Sequence, residues 1–248
     1  MERWAKGTII SNTHWTDNLF SLRVDADIQP FEAGQYTAIA LDVNGRRIAD
    51  PYSILSPPAE RPLEFFFYTR LEGDLSTSLA ALRSGDSIWV QDRPEGNFTL
   101  SHVPDGEILW LLATGTGVAP FLSLLRTDTP WQRFRHIVLV YAVRYPDDLC
   151  YMNLVKELQV THPGKLTFVP IVSRQAVPGA VHGHIPDCIS REILEKQSGQ
   201  TLDPAISQVM LCGNPGMVRD AVAVLHDRGF CDNIPGQQRG QLSYESYW

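Results

Sequence analysis

The run Ile108-Leu-Trp-Leu-Leu-Ala, closed at once by Thr-Gly-Thr-Gly, limits what this chain can fold into more than any other feature. A strand with no polar position needs cover on both faces, which a parallel sheet sandwiched between helices provides. Helical spacing resumes through Phe121, Leu122 and Leu125, and the alternation then repeats. Strands are expected at His136 to Tyr141, Leu166 to Val172 and Gln208 to Cys212. Helices are expected near Tyr151 to Gln159, Pro186 to Lys196 and Pro215 to Asp227, the last capped by Asn214. This is the rhythm of a doubly wound α/β sheet.

Before residue 105 the pattern differs. Gly34 to Leu41, Tyr52 to Leu55, Leu63 to Thr69 and Ser87 to Val90 are rich in β-branched and aromatic residues. Asn44-Gly45, Pro57-Pro58 and Ser84-Gly-Asp punctuate them, and one helix is expected near Ser76 to Leu82. The spacing predicts a small antiparallel barrel. At 248 residues the chain has room for two cores, and the boundary is placed near 98–104, giving domains 1–100 and 101–248.

Composition narrows the function classes. No stretch reaches the roughly 20 apolar residues of a membrane helix, and the N-terminus lacks the apolar core of a signal peptide. The charge of −7 is spread over both halves without a basic run, so neither nucleic acid nor an anionic membrane is expected as a partner. Cys150, Cys188, Cys212 and Cys231 form no C-x-x-C pair and read neither as a metal site nor as a disulfide framework. A reduced cytoplasmic setting follows.

Four segments carry chemistry. Ala113-Thr-Gly-Thr-Gly-Val-Ala-Pro leaves a buried strand and enters a helix, where glycines and free N–H groups suit a phosphate. It lacks the third glycine of the Rossmann fingerprint, and a tight turn explains the glycines equally well. Leu211-Cys-Gly-Asn-Pro-Gly-Met-Val repeats the arrangement, and two such loops in one sheet favour a dinucleotide. Arg144 and Arg174 follow other strand ends and suit a ribose 2′-phosphate, although Asp147 and Asp148 lie close by. In the first half, Tyr52 in Asp50-Pro-Tyr-Ser could pack on a flat cofactor whose edge Ser53 bonds. Gly73-Asp-Leu-Ser precedes the short helix and could present N–H groups to a pyrophosphate. The terminal Tyr247 and Trp248 either dock as core or stack on a cofactor.

These pieces, in this order, resemble the bacterial ferredoxin/flavodoxin–NADP reductases of the plant-type superfamily. The likeness runs nearly end to end, through Asn12-Thr-His-Trp-Thr-Asp-Asn-Leu-Phe-Ser-Leu, Phe31-Glu-Ala-Gly-Gln-Tyr, Tyr52-Ser, Leu79-Ala-Ala-Leu, Leu109-Trp-Leu-Leu-Ala-Thr-Gly-Thr, Met210-Leu-Cys-Gly-Asn-Pro and Tyr247-Trp248. It implies a Greek-key FAD barrel, an NADP-binding α/β domain and an aromatic tail returning to FAD. The FAD set it implies is Asp50, Pro51, Tyr52, Ser53, Phe67, Tyr68, Asp74, Leu75, Ser76, Thr116, Tyr247 and Trp248. Tyr52 and Tyr247 would cover the two flavin faces, and Trp248 would stack on the adenine. The NADP set is Thr114, Gly115, Val143, Arg144, Ser173, Arg174, His184, Cys212, Gly213 and Asn214. Ser53, Cys212 and Tyr247 would surround the hydride transfer.

Two positions depart from the family pattern. Asp50 stands where the motif has an arginine that neutralises an FAD phosphate; Arg46, Arg47 or Arg70 is expected to compensate. His184 replaces a third phosphate-binding arginine, so NADPH affinity is expected to rise as pH falls toward about 6. The function implied is electron exchange between NADPH and ferredoxin or flavodoxin, by a monomer. A free-flavin or quinone reductase of the same plan, and a non-catalytic nucleotide-binding or docking module, are the alternatives.

Overall fold

The computed structural model describes residues 3–43, 45–69 and 75–247. The chain divides into two compact units, Met1–Thr99 with Ala119–Thr127, and Leu100–Val118 with Asp128–Trp248.

The first unit is an antiparallel sheet of six strands: β1 (Trp4–His14), β2 (Leu19–Asp25), β3 (Tyr36–Val43), β4 (Arg46–Ser53), β5 (Leu63–Tyr68) and β6 (Ser87–Gln91), with α1 (Leu75–Ala80) between the last two. Its order, β4-β3-β6-β1-β2-β5, places β6 between β3 and β1. The sheet curls until its edges meet at the bridge Ile54–Phe65, where the Leu55 N–H donates to the Glu64 carbonyl at 2.7 Å. Ile9, Leu22, Val24, Ile39, Leu63, Phe65 and Val90 fill the interior, each contributing about 1.5–3 kcal/mol. Pro51 is tolerated because β4 is an edge, where a missing N–H costs no ladder bond. The segment Ala119–Leu125, α2, belongs to this unit, and its Ser123 hydroxyl donates to the Ser56 carbonyl at 3.0 Å.

The second unit is a parallel sheet of β7 (Ile108–Thr114), β8 (His136–Val143), β9 (Leu166–Val172), β10 (Val181–His182), β11 (Ser207–Gly213) and β12 (Leu242–Ser246), in the order β10-β9-β8-β7-β11-β12. Its helices are α3 (Thr129–Arg133), α4 (Met152–Thr161), α5 (Ile185–Ser190), α6 (Ile193–Ser198) and α7 (Pro215–Asp227). Every residue of β8 and β11 is buried, as the unbroken apolar runs demand. Trp110, Val138, Val140, Val209 and Leu211 pack on Ile189, Leu194, Ala221 and Leu225 of α5, α6 and α7.

The fold class matches the sequence reading; some elements do not. The helix expected over Pro186 to Lys196 is two helices, broken where Glu192 takes a left-handed backbone (φ 54°). Strands β1, β2, β10 and β12 were not expected, and β4 starts at Arg46 rather than Tyr52: β1 carries a bulge at Ile9/Ser11 that interrupts its alternation, β10 is two residues long, and β12 is a short, half-exposed edge. Among the described residues no helix is long and apolar enough to cross a membrane.

Candidate functional site

In an open parallel sheet a crevice forms where the strand order reverses, outside the carboxyl ends. Here the chain lays down β7, β8, β9 and β10 to one side and β11 and β12 to the other, so the reversal lies between β7 and β11. Thr114, Gly115 and Thr116 leave the first of these strands; Cys212, Gly213 and Asn214 end the second.

The two turns interlock. The Asn214 N–H donates to the Thr114 hydroxyl at 2.8 Å. A Cβ on Gly213, which has φ +134°, would sit 2.2 Å from the Thr114 hydroxyl oxygen, and one on Gly117 would sit 2.4 Å from the Cys212 carbonyl. Gly115 differs: its φ of +52° needs glycine, yet a Cβ there meets nothing within 4 Å. Its backbone therefore faces open space, as a bound phosphate requires. The Asn214 carboxamide oxygen accepts from Gly216 and Met217 N–H at 2.9 and 3.2 Å, making it the N-cap of α7.

The neighbouring strand ends are drawn together by two further ladder bonds. Ser173 N–H donates to Val143 and Arg174 N–H to Arg144, both at 3.0 Å. Among the described residues neither guanidinium has an acidic partner. The nearby Asp148 carboxylate turns back to accept from Tyr145 N–H at 3.1 Å. His184 precedes α5, exposed, with Nδ1 3.8 Å from an Asp187 carboxylate oxygen.

The chain end completes this cluster. β12 pairs with β11 as far as Gly213–Ser246, and the Tyr247 N–H donates to the Gly213 carbonyl at 3.1 Å. The Tyr247 hydroxyl bonds the Cys212 thiol and lies 3.5 Å from a Glu245 carboxylate oxygen. Burial pushes the Cys212 thiol far up, so it stays protonated. Burial also raises the Glu245 carboxyl to about 7, against the opposing pull of the Tyr247 hydroxyl. Glu245 is not among the residues singled out from the sequence. Its position two before Tyr247 puts both on one face of a strand, a signal available only once β12 is recognised.

In the barrel unit the candidate residues gather at the seam where β4 and β5 meet. Tyr52 touches Phe67 edge-on, with centroids 6.0 Å apart. Ser53 is buried, and Tyr68 on β5 keeps 42% of its surface exposed. Half-exposed aromatic surface beside a buried hydroxyl suits a flat, polar-edged ring. Leu75 and Ser76 open α1, both buried. The other end of that helix is held by Asn12, whose amide donates to the carbonyls of Leu79, Ala80 and Leu82 at 3.3, 2.9 and 2.9 Å. Asp74, Trp248 and Arg70 lie outside the described residues. Thr116 and Tyr247 belong to the α/β unit.

Of the three arginines expected to offset Asp50, Arg47 points elsewhere. Asp50 is exposed on the β4 face it shares with Tyr52, whereas Arg47 falls on the opposite face by strand alternation. The Arg47 guanidinium forks onto Asp42 at 3.0 and 3.1 Å and lies over the Trp89 ring at 4.0 Å, so it is not directed at position 50.

Residues 111–223 match the model of the oxidoreductase NAD-binding domain. The chain is 41% identical to the flavodoxin/ferredoxin–NADP reductase of Shigella flexneri and 40% identical to that of Escherichia coli K12, each over the full length of both chains. A crystal structure of a ferredoxin NADP+ reductase from Neisseria gonorrhoeae, with bound FAD and NADP, superposes with a TM-score of 0.92 at 28% identity and covers 99% of each chain. With identity of this order across its whole length, the chain belongs to the flavodoxin/ferredoxin–NADP reductase family.

Proposed function

We propose that this chain holds FAD on its barrel unit and NADP(H) on its α/β unit, and exchanges electrons between NADPH and a ferredoxin or flavodoxin. The observation that carries the reading is the convergence at one sheet edge of the Gly115 turn, the Cys212–Asn214 turn and two arginines, Arg144 and Arg174, that have no acidic partner among the described residues.

Each group then has a task. The Gly115 backbone cradles the NADP phosphates, Thr116 touches FAD, and Thr114 and Asn214 fasten the two turns to each other. Arg144 and Arg174, flanked by Val143 and Ser173, bind the 2′-phosphate through charge-assisted bonds, with His184 beside them on the next connection. Cys212 offers a neutral, non-ionising wall beside the nicotinamide. Tyr247 keeps that place, its hydroxyl on the Cys212 thiol, until the nicotinamide takes it. On the barrel, Tyr52, Phe67 and Tyr68 supply aromatic surface, Ser53 a hydroxyl at the ring edge, and Leu75 and Ser76 the start of the helix beside the pyrophosphate. FAD, when bound, supplies the chemistry that joins a two-electron hydride donor to a one-electron acceptor. The protein acts as a cytoplasmic monomer that meets its carrier transiently.

The test is an anaerobic visible-absorption titration with NADPH and NADH in parallel. Flavin bleaching much faster with NADPH is the expected result. A colourless protein that takes up no added FAD overturns the reading.

A further inference from the structure

The rim assigned to the 2′-phosphate also carries a charge that opposes a phosphate. β10 runs parallel to β9 with His182 level with Val172, the last residue of β9. Arg174 and His184 each lie two residues beyond that level. They therefore leave neighbouring strands side by side, at the spacing of about 4.8 Å that adjacent strands keep. Arg144 follows β8 next to them, its carbonyl accepting from the Arg174 N–H at 3.0 Å. His184 leads directly into α5, and the Cys188 N–H of that helix donates back to the His184 carbonyl at 3.0 Å. Ile185, Cys188 and Ile189 are buried in the core of the unit, which turns His184 and Asp187, three residues apart, outward together. Their side chains are 67% and 65% exposed, with the imidazole Nδ1 3.8 Å from a carboxylate oxygen. Among the described residues no other cation pairs with that carboxylate. Asp148, after β8, is placed differently, its carboxylate being taken up by the Tyr145 N–H.

We propose that Asp187 is a specificity-determining residue: its carboxylate opposes the 2′-phosphate of NADP and accepts from the 2′-hydroxyl of NAD, so the rim takes both dinucleotides while still preferring the phosphate. The proposal rests on the reading that Arg144 and Arg174 hold the 2′-phosphate. A nucleotide site tells the two dinucleotides apart by charge: guanidinium forks suit the phosphate, and a carboxylate suits the bare hydroxyl. Both kinds of group stand here on one rim. His184 sets how much of the carboxylate is felt. An imidazole, unlike a guanidinium, is uncharged over part of the physiological range, and a neutral ring leaves Asp187 uncompensated. Two permanent cations against one acid keep the sum in favour of the phosphate, so the preference is narrowed and not reversed. All four side chains belong to exposed residues, so solvent screens each contribution and the effect of any one is modest.

The experiment is a calorimetric titration of the FAD-loaded protein, at about pH 8 where a histidine is ordinarily neutral, with 2′-phospho-AMP and with 5′-AMP. These adenylates differ only at the ribose 2′ position, and neither carries a nicotinamide. Asp187→Ala should tighten 2′-phospho-AMP about fivefold and weaken 5′-AMP about threefold. Asp187→Asn, which loses the charge but keeps an acceptor, should tighten 2′-phospho-AMP as much and leave 5′-AMP near the wild-type value. The gain for the phosphate should shrink as salt is raised. Arg174→Ala is the control and should weaken 2′-phospho-AMP about tenfold or more. If it does so while neither Asp187 variant moves the ratio of the two dissociation constants, Asp187 is overturned and the phosphate rim stands. If Arg174→Ala leaves 2′-phospho-AMP unchanged, the rim reading itself fails and takes the proposal with it. Equal shifts for both adenylates would also overturn the proposal, because the effect would then lie away from the 2′ position.

Discussion

The two units place their candidate residues by different means. In the α/β unit the positions follow from backbone: five strand ends line up, and glycines at 117 and 213 let neighbouring turns touch. At the barrel seam the positions follow from side chains on two edge strands joined by the bridge Ile54–Phe65, and from a helix pinned by one asparagine. A backbone-built site tolerates change in its side chains but not in its glycines. A seam should show the reverse, and that difference can be tested.

The largest effect should come from Gly117→Ala. Its Cβ would lie 2.4 Å from the Cys212 carbonyl, within backbone that cannot yield, and the expected cost is about 3 kcal/mol or more in urea denaturation of the FAD-loaded protein. Gly115→Ala, two residues away, meets open space. It should cost only the left-handed backbone penalty, about 1–2 kcal/mol, while weakening NADPH binding. Equal destabilisation by the two would break the contrast between a packing glycine and a ligand-facing one.

Glu245 tests the chain end of the same unit. Its carboxyl is raised from 4.5 to about 7, so between those values the folded protein holds a proton that the unfolded chain has released. Stability therefore falls as pH rises through this window, and the loss is complete above it. Glu245→Gln removes the penalty. The variant should exceed the wild type by about 2 kcal/mol at pH 8, and the difference should vanish near pH 4. A pH-independent difference would mean that the carboxyl is well hydrated.

How much was legible in the sequence follows the same division. β7, β8 and β11 are buried on both faces, so their apolar runs and the turns that end them could be read directly, as could Asn214 as a cap. The strand-end arginines followed from where those strands stop. At the barrel seam, Tyr52, Phe67 and Tyr68 belong to strands far apart in the chain, and only the family resemblance joined them. Glu245 and Asn12 were missed because each acts through an element, β12 or β1, whose pattern is short or bulged.

Asn12 measures how far the barrel site depends on one side chain. Its amide ties the carbonyls at the end of α1 to β1, and Asn12→Ala should cost about 1–2 kcal/mol. Because Leu75 and Ser76 open the same helix, FAD should also dissociate more readily, read from the fluorescence of released flavin. Destabilisation with unchanged FAD affinity would show that the start of α1 is held independently of its end.

The smallest effect should come from Arg47→Ala, and it bears on what offsets Asp50. β4 alternates its side chains, so Arg47, Ala49 and Pro51 share the face away from Asp50 and Tyr52. On that outer face Arg47 is satisfied by Asp42, whose carboxyl it holds below the usual value together with the Trp89 N–H. That contribution is present at neutral pH and is lost only as pH falls below the ordinary value of 3.8. Removing the guanidinium at pH 7 should therefore shift the urea midpoint barely beyond error and leave the FAD dissociation constant unchanged. Asp50→Arg, on the other face, should tighten FAD. If Arg47→Ala instead loosens FAD, the guanidinium does reach across β4, and the assignment of Asp50 and Arg47 to opposite faces of that edge strand must be given up.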